Sequence, residues 1–207
     1  MMVPFKIQDN FRCFDFKECL AFLYNQGQMK YGKHFRIRKE DYEIIYKLLV
    51  YAIRDKENCQ IHKVDLDKGI LLLGPVGCGK TSLMTLIKPF FQNEFHYRIK
   101  PSREISFEFI NEGYPTILKY GKSTNVFCFD DLGVEKSLKH FGNDCNTMAE
   151  ILLSRYDNFI QTGIPTHATT NLNAEELEKL YGNRVRSRLR EMFNLVSFPQ
   201  SIEDKRK

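Results

Sequence analysis

The stretch Gly74-Pro75-Val76-Gly77-Cys78-Gly79-Lys80-Thr81 follows four apolar residues, Ile70 to Leu73, and ends on an amine and a hydroxyl. Three glycines in one turn let the backbone curl so that successive N–H groups face a common centre, the geometry that cradles an anion. Lys80 adds a point charge, and the Thr81 hydroxyl is a hard oxygen ligand suited to a divalent cation. The spacing satisfies the phosphate-binding loop pattern in full, and it falls between a predicted strand and a predicted helix, the context that gives the pattern meaning. On this reading residues 74–81, with Ser82, hold nucleotide phosphates, Lys80 reaches the β- and γ-phosphates, and Thr81 ligates Mg²⁺.

A second stretch, "VFCFDDLG" at 126–133, places two adjacent carboxylates after another apolar run. Asp130, at the strand end, is positioned to hold the metal through water, and Asp131, one residue on, to polarise an attacking water. Two acids there favour hydrolysis over transfer to a bound metabolite. The guanine-reading Asn-Lys-x-Asp pattern is lacking from the sequence, which favours ATP. Asn171, ending "ATTN" at 168–171, could orient the water against the γ-phosphate, with Asn173 competing for the role. In "YGNRVRSRLREMF", 181–193, Arg184 and Arg188 share one helical face above an apolar stripe of Val185, Leu189 and Met192. Either arginine could serve a neighbouring subunit's phosphate site. No second positive group is evident within one subunit, so turnover is expected to require assembly.

These residues need a scaffold. From Gly69 onward, short apolar runs alternate with helical stretches, the grammar of a parallel sheet with crossover helices. Strands are predicted at 70–73, 94–99, 125–129, 166–170 and 194–198. Helices are predicted at 81–91, 102–111, along a stripe from Met148 to Ile160, and from an Asn173/Glu176 capping box through Leu180. Gly113 and Pro115 read as a stop. Residues 1–60 form a small helical extension with segments near 16–26 and 40–55, broken by Gly27 and Gly32. Residues 61–207 carry the nucleotide site.

Composition sets the limits. The 207 residues suffice for one domain with an appendage. No apolar run approaches the roughly 20 residues that cross a bilayer, and the first residues lack a secretory leader, so a cytoplasmic protein with no membrane partner is expected. Six scattered cysteines read as free thiols. The net charge of +5 matters less than its distribution. Lys30 to Lys39 holds five basic residues and no acid, interleaved with Tyr31, His34 and Phe35. That mixture suits single-stranded nucleic acid, or equally a solvated linker. Lys205-Arg206-Lys207 reads as a solubilising tail.

Taken together, the loop at 74–81, "FDDLGVE" at 129–135, "THATTNLNAEEL" at 166–177 and "YGNRVRSRLREM" at 181–192 resemble the AAA+ ATPases of the bacterial helicase-loader group, the DnaC and DnaI type, with IstB transposition ATPases as relatives. The resemblance covers about residues 60–200. It implies a P-loop AAA+ core with a five-stranded parallel sheet and no carboxy-terminal lid. It implies Lys80 and Thr81 as the Walker A pair, Asp130 and Asp131 as Walker B acids, Asn171 as sensor 1, and Arg188 as an arginine finger in trans, with Arg184 in reserve. The implied activity is Mg²⁺-dependent ATP hydrolysis in an ATP-dependent homo-oligomer that binds single-stranded DNA and loads a replicative helicase. A transposition regulator, or an assembly protein in which ATP is a signal with negligible turnover, fits the same motifs. Residues 1–60 match no recognisable helicase-binding domain.

Overall fold

The structure, a computed structural model, describes residues 5–9, 11–135, 138–140, 143–199, 202, 204 and 205. The last two positions of the predicted basic tail, Arg206 and Lys207, lie outside these.

The chain begins with a small hairpin, β1 (Lys6–Gln8) and β2 (Phe11–Cys13), followed by α1 (Phe16–Tyr31), α2 (Tyr42–Ala52) and α3 (Lys56–Ile61). The central elements are β3 (Gly69–Leu73), α4 (Lys80–Leu86), β4 (Tyr97–Pro101), α5 (Ser102–Glu112), α6 (Tyr114–Gly121) and β5 (Val126–Leu132). Then come a hairpin of β6 (Leu138–His140) and β7 (Asn143–Cys145), α7 (Thr147–Thr162), β8 (His167–Thr170), α8 (Ala174–Tyr181), α9 (Asn183–Met192) and β9 (Phe193–Ser197).

Five strands form one parallel sheet in the order β4-β5-β8-β3-β9. Side chains alternate across a strand, and both faces here are covered, which explains the lack of polar alternation in the sequence. Ile70 and Leu72 enter a core with Val126, Cys128 and residues of α1, α2 and α4. Leu71, Phe127 and Phe129 enter the opposite core with α5 to α9. Residues 19–64 therefore share one hydrophobic core with the sheet. The fold is α/β, with helices on both faces of a five-stranded parallel sheet, an architecture consistent with an AAA+ P-loop NTPase core.

Several boundaries differ from the sequence reading. Gly27 is inside α1 rather than at its end, because Phe35 packs against it; a Cβ there would lie 2.1 Å from the Phe35 ring. The break is at Gly32, with φ of 93°. Helix α4 stops at Leu86, before a 3₁₀ turn containing Pro89. Strand β4 starts at Tyr97, since Asn93–Phe95 is a 3₁₀ turn. Pro115 opens a further helix, α6, instead of closing the region. Proline fits the first turn of a helix because its missing N–H has no partner to lose there.

Candidate nucleotide site

The phosphate loop runs from the carboxyl end of β3 into α4. Gly77 and Gly79 have φ of 81° and 98°, a left-handed conformation that a side chain would strain. Lys80 is buried, and its Nζ donates to the carbonyl oxygens of Gly74 at 2.8 Å and Pro75 at 3.0 Å. Cys78 is buried beneath the loop against Gly74, and burial pushes its thiol pKa up, as suits a packing residue.

Strand β8 lies between β3 and β5, so the loop and the acids face each other across one intervening strand. Asp130, also buried, accepts from Thr81 Oγ1 at 2.9 Å and from Thr169 Oγ1 at 2.7 Å. Ser102 Oγ donates to the Asp130 carbonyl at 3.0 Å, which anchors the strand end from α5.

Consecutive residues on a regular strand point to opposite faces. That rule would send Asp130 and Asp131 apart. The pairing of β5 with β8 slips between Phe129 and Leu132, forming a bulge, and Asp131 adopts φ of 55°. Asp130 can then meet Thr81 while Asp131 lines the cleft above the loop. The Asp131 amide donates to Thr169 Oγ1 at 2.9 Å, so one hydroxyl fixes both acids.

The cleft has a volume of about 460 Å³. Val76, Gly77, Gly79, Lys80, Thr81, Ser82, Asp131 and Asn171, all read from the sequence as one site, line it. Gly74 and Pro75 contribute the carbonyls under Lys80, and Asp130 lies below Thr81. Asn173 instead caps α8, accepting from the amides of Glu175 and Glu176. Arg188 does not line the cleft; its guanidinium lies over the Tyr156 ring at 4.6 Å and 3.8 Å from Asp157. Arg184 is exposed on the same helix.

The sequence reading missed the rest of the wall. Tyr31, the last residue of α1, and His34, Phe35 and Arg36, between α1 and α2, line the cleft, and the Tyr31 and Phe35 rings stack at 5.7 Å. Lys205 lines it from the other end of the chain; its amide donates to Gly77 O at 3.1 Å and its Nζ pairs with Asp41 at 2.5 Å. Arg36 and Lys205 are therefore positive groups at the cleft within one subunit, which corrects the expectation that none is at hand. Nothing local in the sequence signals these contacts, because they join segments far apart in the chain.

Sheet order and strand ends gathered on one cleft are consistent with the fold of an AAA+ P-loop NTPase. No family model matches the sequence, and no curated protein does. Among solved structures, the chain is similar to the DnaC helicase loader, with TM-score 0.57, 19% identity, and coverage of 80% of this chain and 93% of that one. It is also similar to DnaI, with TM-score 0.52, 23% identity, and coverage of 72% and 84%. A third is AMPPCP-bound DnaA from Aquifex aeolicus, with TM-score 0.50, 17% identity, and coverage of 83% and 50%. At these identities the likeness is one of fold. Among the described residues, no helix is long and apolar enough to cross a membrane.

Proposed function

We propose that the protein is a Mg²⁺-dependent ATPase that serves DNA replication by placing a replicative helicase on single-stranded DNA. The observation that carries the ATPase reading is the convergence of loop, Lys80, Thr81, Asp131 and Asn171 on one cleft, with Asp130 hydrogen-bonded to Thr81 at its floor. The donor set suits Mg²⁺, which binds through one or two oxygen side chains and completes its shell with phosphates and water. Thr81 and Asp130 would hold the ion, and when bound it neutralises charge on the phosphates. Loop amides orient the triphosphate, Lys80 exchanges its carbonyl partners for phosphate oxygens, and Asp131 takes a proton from the attacking water while Asn171 orients it. Tyr31 and Phe35 offer aromatic surface to the base, so the basic stretch serves the nucleotide first.

The replication half rests on fold likeness to the DnaC helicase loader and DnaI. Single-stranded DNA, a replicative helicase and further copies of this chain are the partners on this reading, with Arg188 of one subunit entering the next subunit's cleft.

The test is an ATP titration by calorimetry on the parent and on Lys80→Ala. We expect affinity to fall at least about tenfold, the loss of a charge-assisted contact worth roughly 1.5–3 kcal/mol. Equal affinity in the two proteins would remove the loop from nucleotide binding, and a parent without Mg²⁺-dependent phosphate release in the presence of DNA and helicase would end the ATPase reading.

A further inference from the structure

The turn that carries Asp131 is held by a carboxylate to which the reaction assigns no role. Glu135 is nine-tenths buried four residues beyond Asp131. Its Oε2 accepts from the Gly133 amide at 2.9 Å, and its Oε1 accepts from the Tyr181 hydroxyl. Tyr181, itself buried, is the last residue of α8; Gly182, at φ of 86°, follows and opens into α9, the helix of Arg188.

Asp131 needs such support. A non-glycine residue at positive φ costs on the order of 1–3 kcal/mol and persists only where its surroundings over-determine it. Several contacts hold it. Thr169 Oγ1 holds the Asp131 amide, the Val134 amide donates back to Asp131 O at 3.3 Å, and Gly133 lies so close to Leu172 that a Cβ would be 2.3 Å from its Cδ1. Leu172 is the neighbour of Asn171, and its amide donates to Thr170 Oγ1, which in turn donates to Leu132 O at 2.7 Å. Glu135 is the ionisable side chain that closes this turn onto α8.

We infer that Glu135 and Tyr181 are positioning residues for the Asp131 carboxylate: they clamp the 131–135 turn against the α8–α9 junction, so that the direction of Asp131 depends on the seating of the arginine-bearing helix. Burial and the adjacent Glu135 both raise the Tyr181 pKa, so the phenol stays a donor across the working pH range. A buried carboxylate that spends both oxygens on a backbone amide and a phenol is engaged in holding geometry, and neither residue lines the cleft. The inference rests on Asp131 acting as the base in the proposed ATPase.

Two readouts test it separately from that reading. In steady-state hydrolysis we expect Tyr181→Phe to lower kcat about tenfold and Glu135→Ala about a hundredfold, with KM for ATP within about threefold of the parent, since a misplacement near 1 Å costs about that much in rate. Glu135→Gln, which keeps one acceptor, should fall between them. In amide exchange, residues 131–134 of Tyr181→Phe should exchange at least about tenfold faster while β3 and β8 keep parental protection. Parental kcat in Tyr181→Phe and Glu135→Ala, in an active enzyme that Asp131→Asn silences, would overturn the positioning role. If the parent itself proves inactive, unaltered exchange at 131–134 in Tyr181→Phe overturns the clamp, and accelerated exchange there supports it.

Discussion

Thr169 donates to Asp130 at 2.7 Å and accepts from the Asp131 amide at 2.9 Å, so the hydroxyl of a residue on β8 joins the two acids of β5. Thr169 is fully buried. Thr169→Val keeps the shape and leaves the Asp131 N–H and one Asp130 lone pair without this partner. The expected loss is about 2 kcal/mol of unfolding free energy, the desolvation penalty of unpaired buried groups. Thr169→Ser should recover most of it. Urea unfolding of the three proteins checks both values, and a valine variant as stable as the parent would show that the hydroxyl is dispensable.

Arg188 faces Tyr156 and Asp157 and does not line the cleft of its own chain. If it completes a neighbour's site, Lys80→Ala subunits lack a working pocket but retain a finger, and Arg188→Ala subunits have the reverse defect. Each should be deficient alone by about 10³-fold or more, the range reported by arginine-finger chemistry. Mixtures should regain hydrolysis in proportion to mixed interfaces. Co-assembled mixtures that stay inactive, or normal hydrolysis by Arg188→Ala alone, would remove Arg188 from the reaction.

His167 sits wholly buried at the start of β8, ringed by Tyr51, Phe91 and Tyr97. Its Nδ1 accepts from the Ile70 amide at 3.1 Å, which assigns the proton to Nε2. Burial, aided by Arg155, lowers its pKa from 6.5 to about 3. Between those values the unfolded chain binds a proton that the folded one refuses, so this contribution is complete above pH 6.5 and is lost as pH falls toward about 3. From about pH 7.5 to about pH 5.5 the parent should lose about 1.4 kcal/mol more stability than His167→Gln. Equal losses in the two proteins would show that His167 titrates alike in both states.

The parts of this arrangement that local chemistry dictates were legible in the sequence. Gly77 and Gly79 announce the loop because only glycine takes those φ values without strain, and Val126 to Phe129 announce a central strand because both faces are covered. The Asn173/Glu176 capping box marks α8 in the same way. What escaped depends on contacts between distant segments. Gly27 looks like a break until Phe35 is seen against it, and Pro115 looks like a stop until Gly113 is seen to turn the chain into a new helix. Residues 31–36 and Lys205 reach the cleft only through tertiary packing. The two acids illustrate the boundary: their identity was plain, but the bulge that lets adjacent residues share one site is a property of the β5–β8 register.

The placement of β3 between β8 and β9 also sets a timetable. Leu71 pairs with Ala168 on one side and Leu195 on the other. A ribosome that has just made residue 73 has therefore made the strand bearing the phosphate loop but neither of its neighbours. At about 5–20 residues per second, β8 emerges roughly 5–20 s later. Throughout that interval an apolar segment, destined for burial on both faces, has two unpaired edges of the kind that invites misassociation. Helices α1 to α3 are already synthesised, and they belong to the core that takes Ile70 and Leu72. Leu71, which faces the other way, must wait for α5 to α9. The amino-terminal helices are thus the first partners available to the strand during synthesis, made before the rest of the sheet.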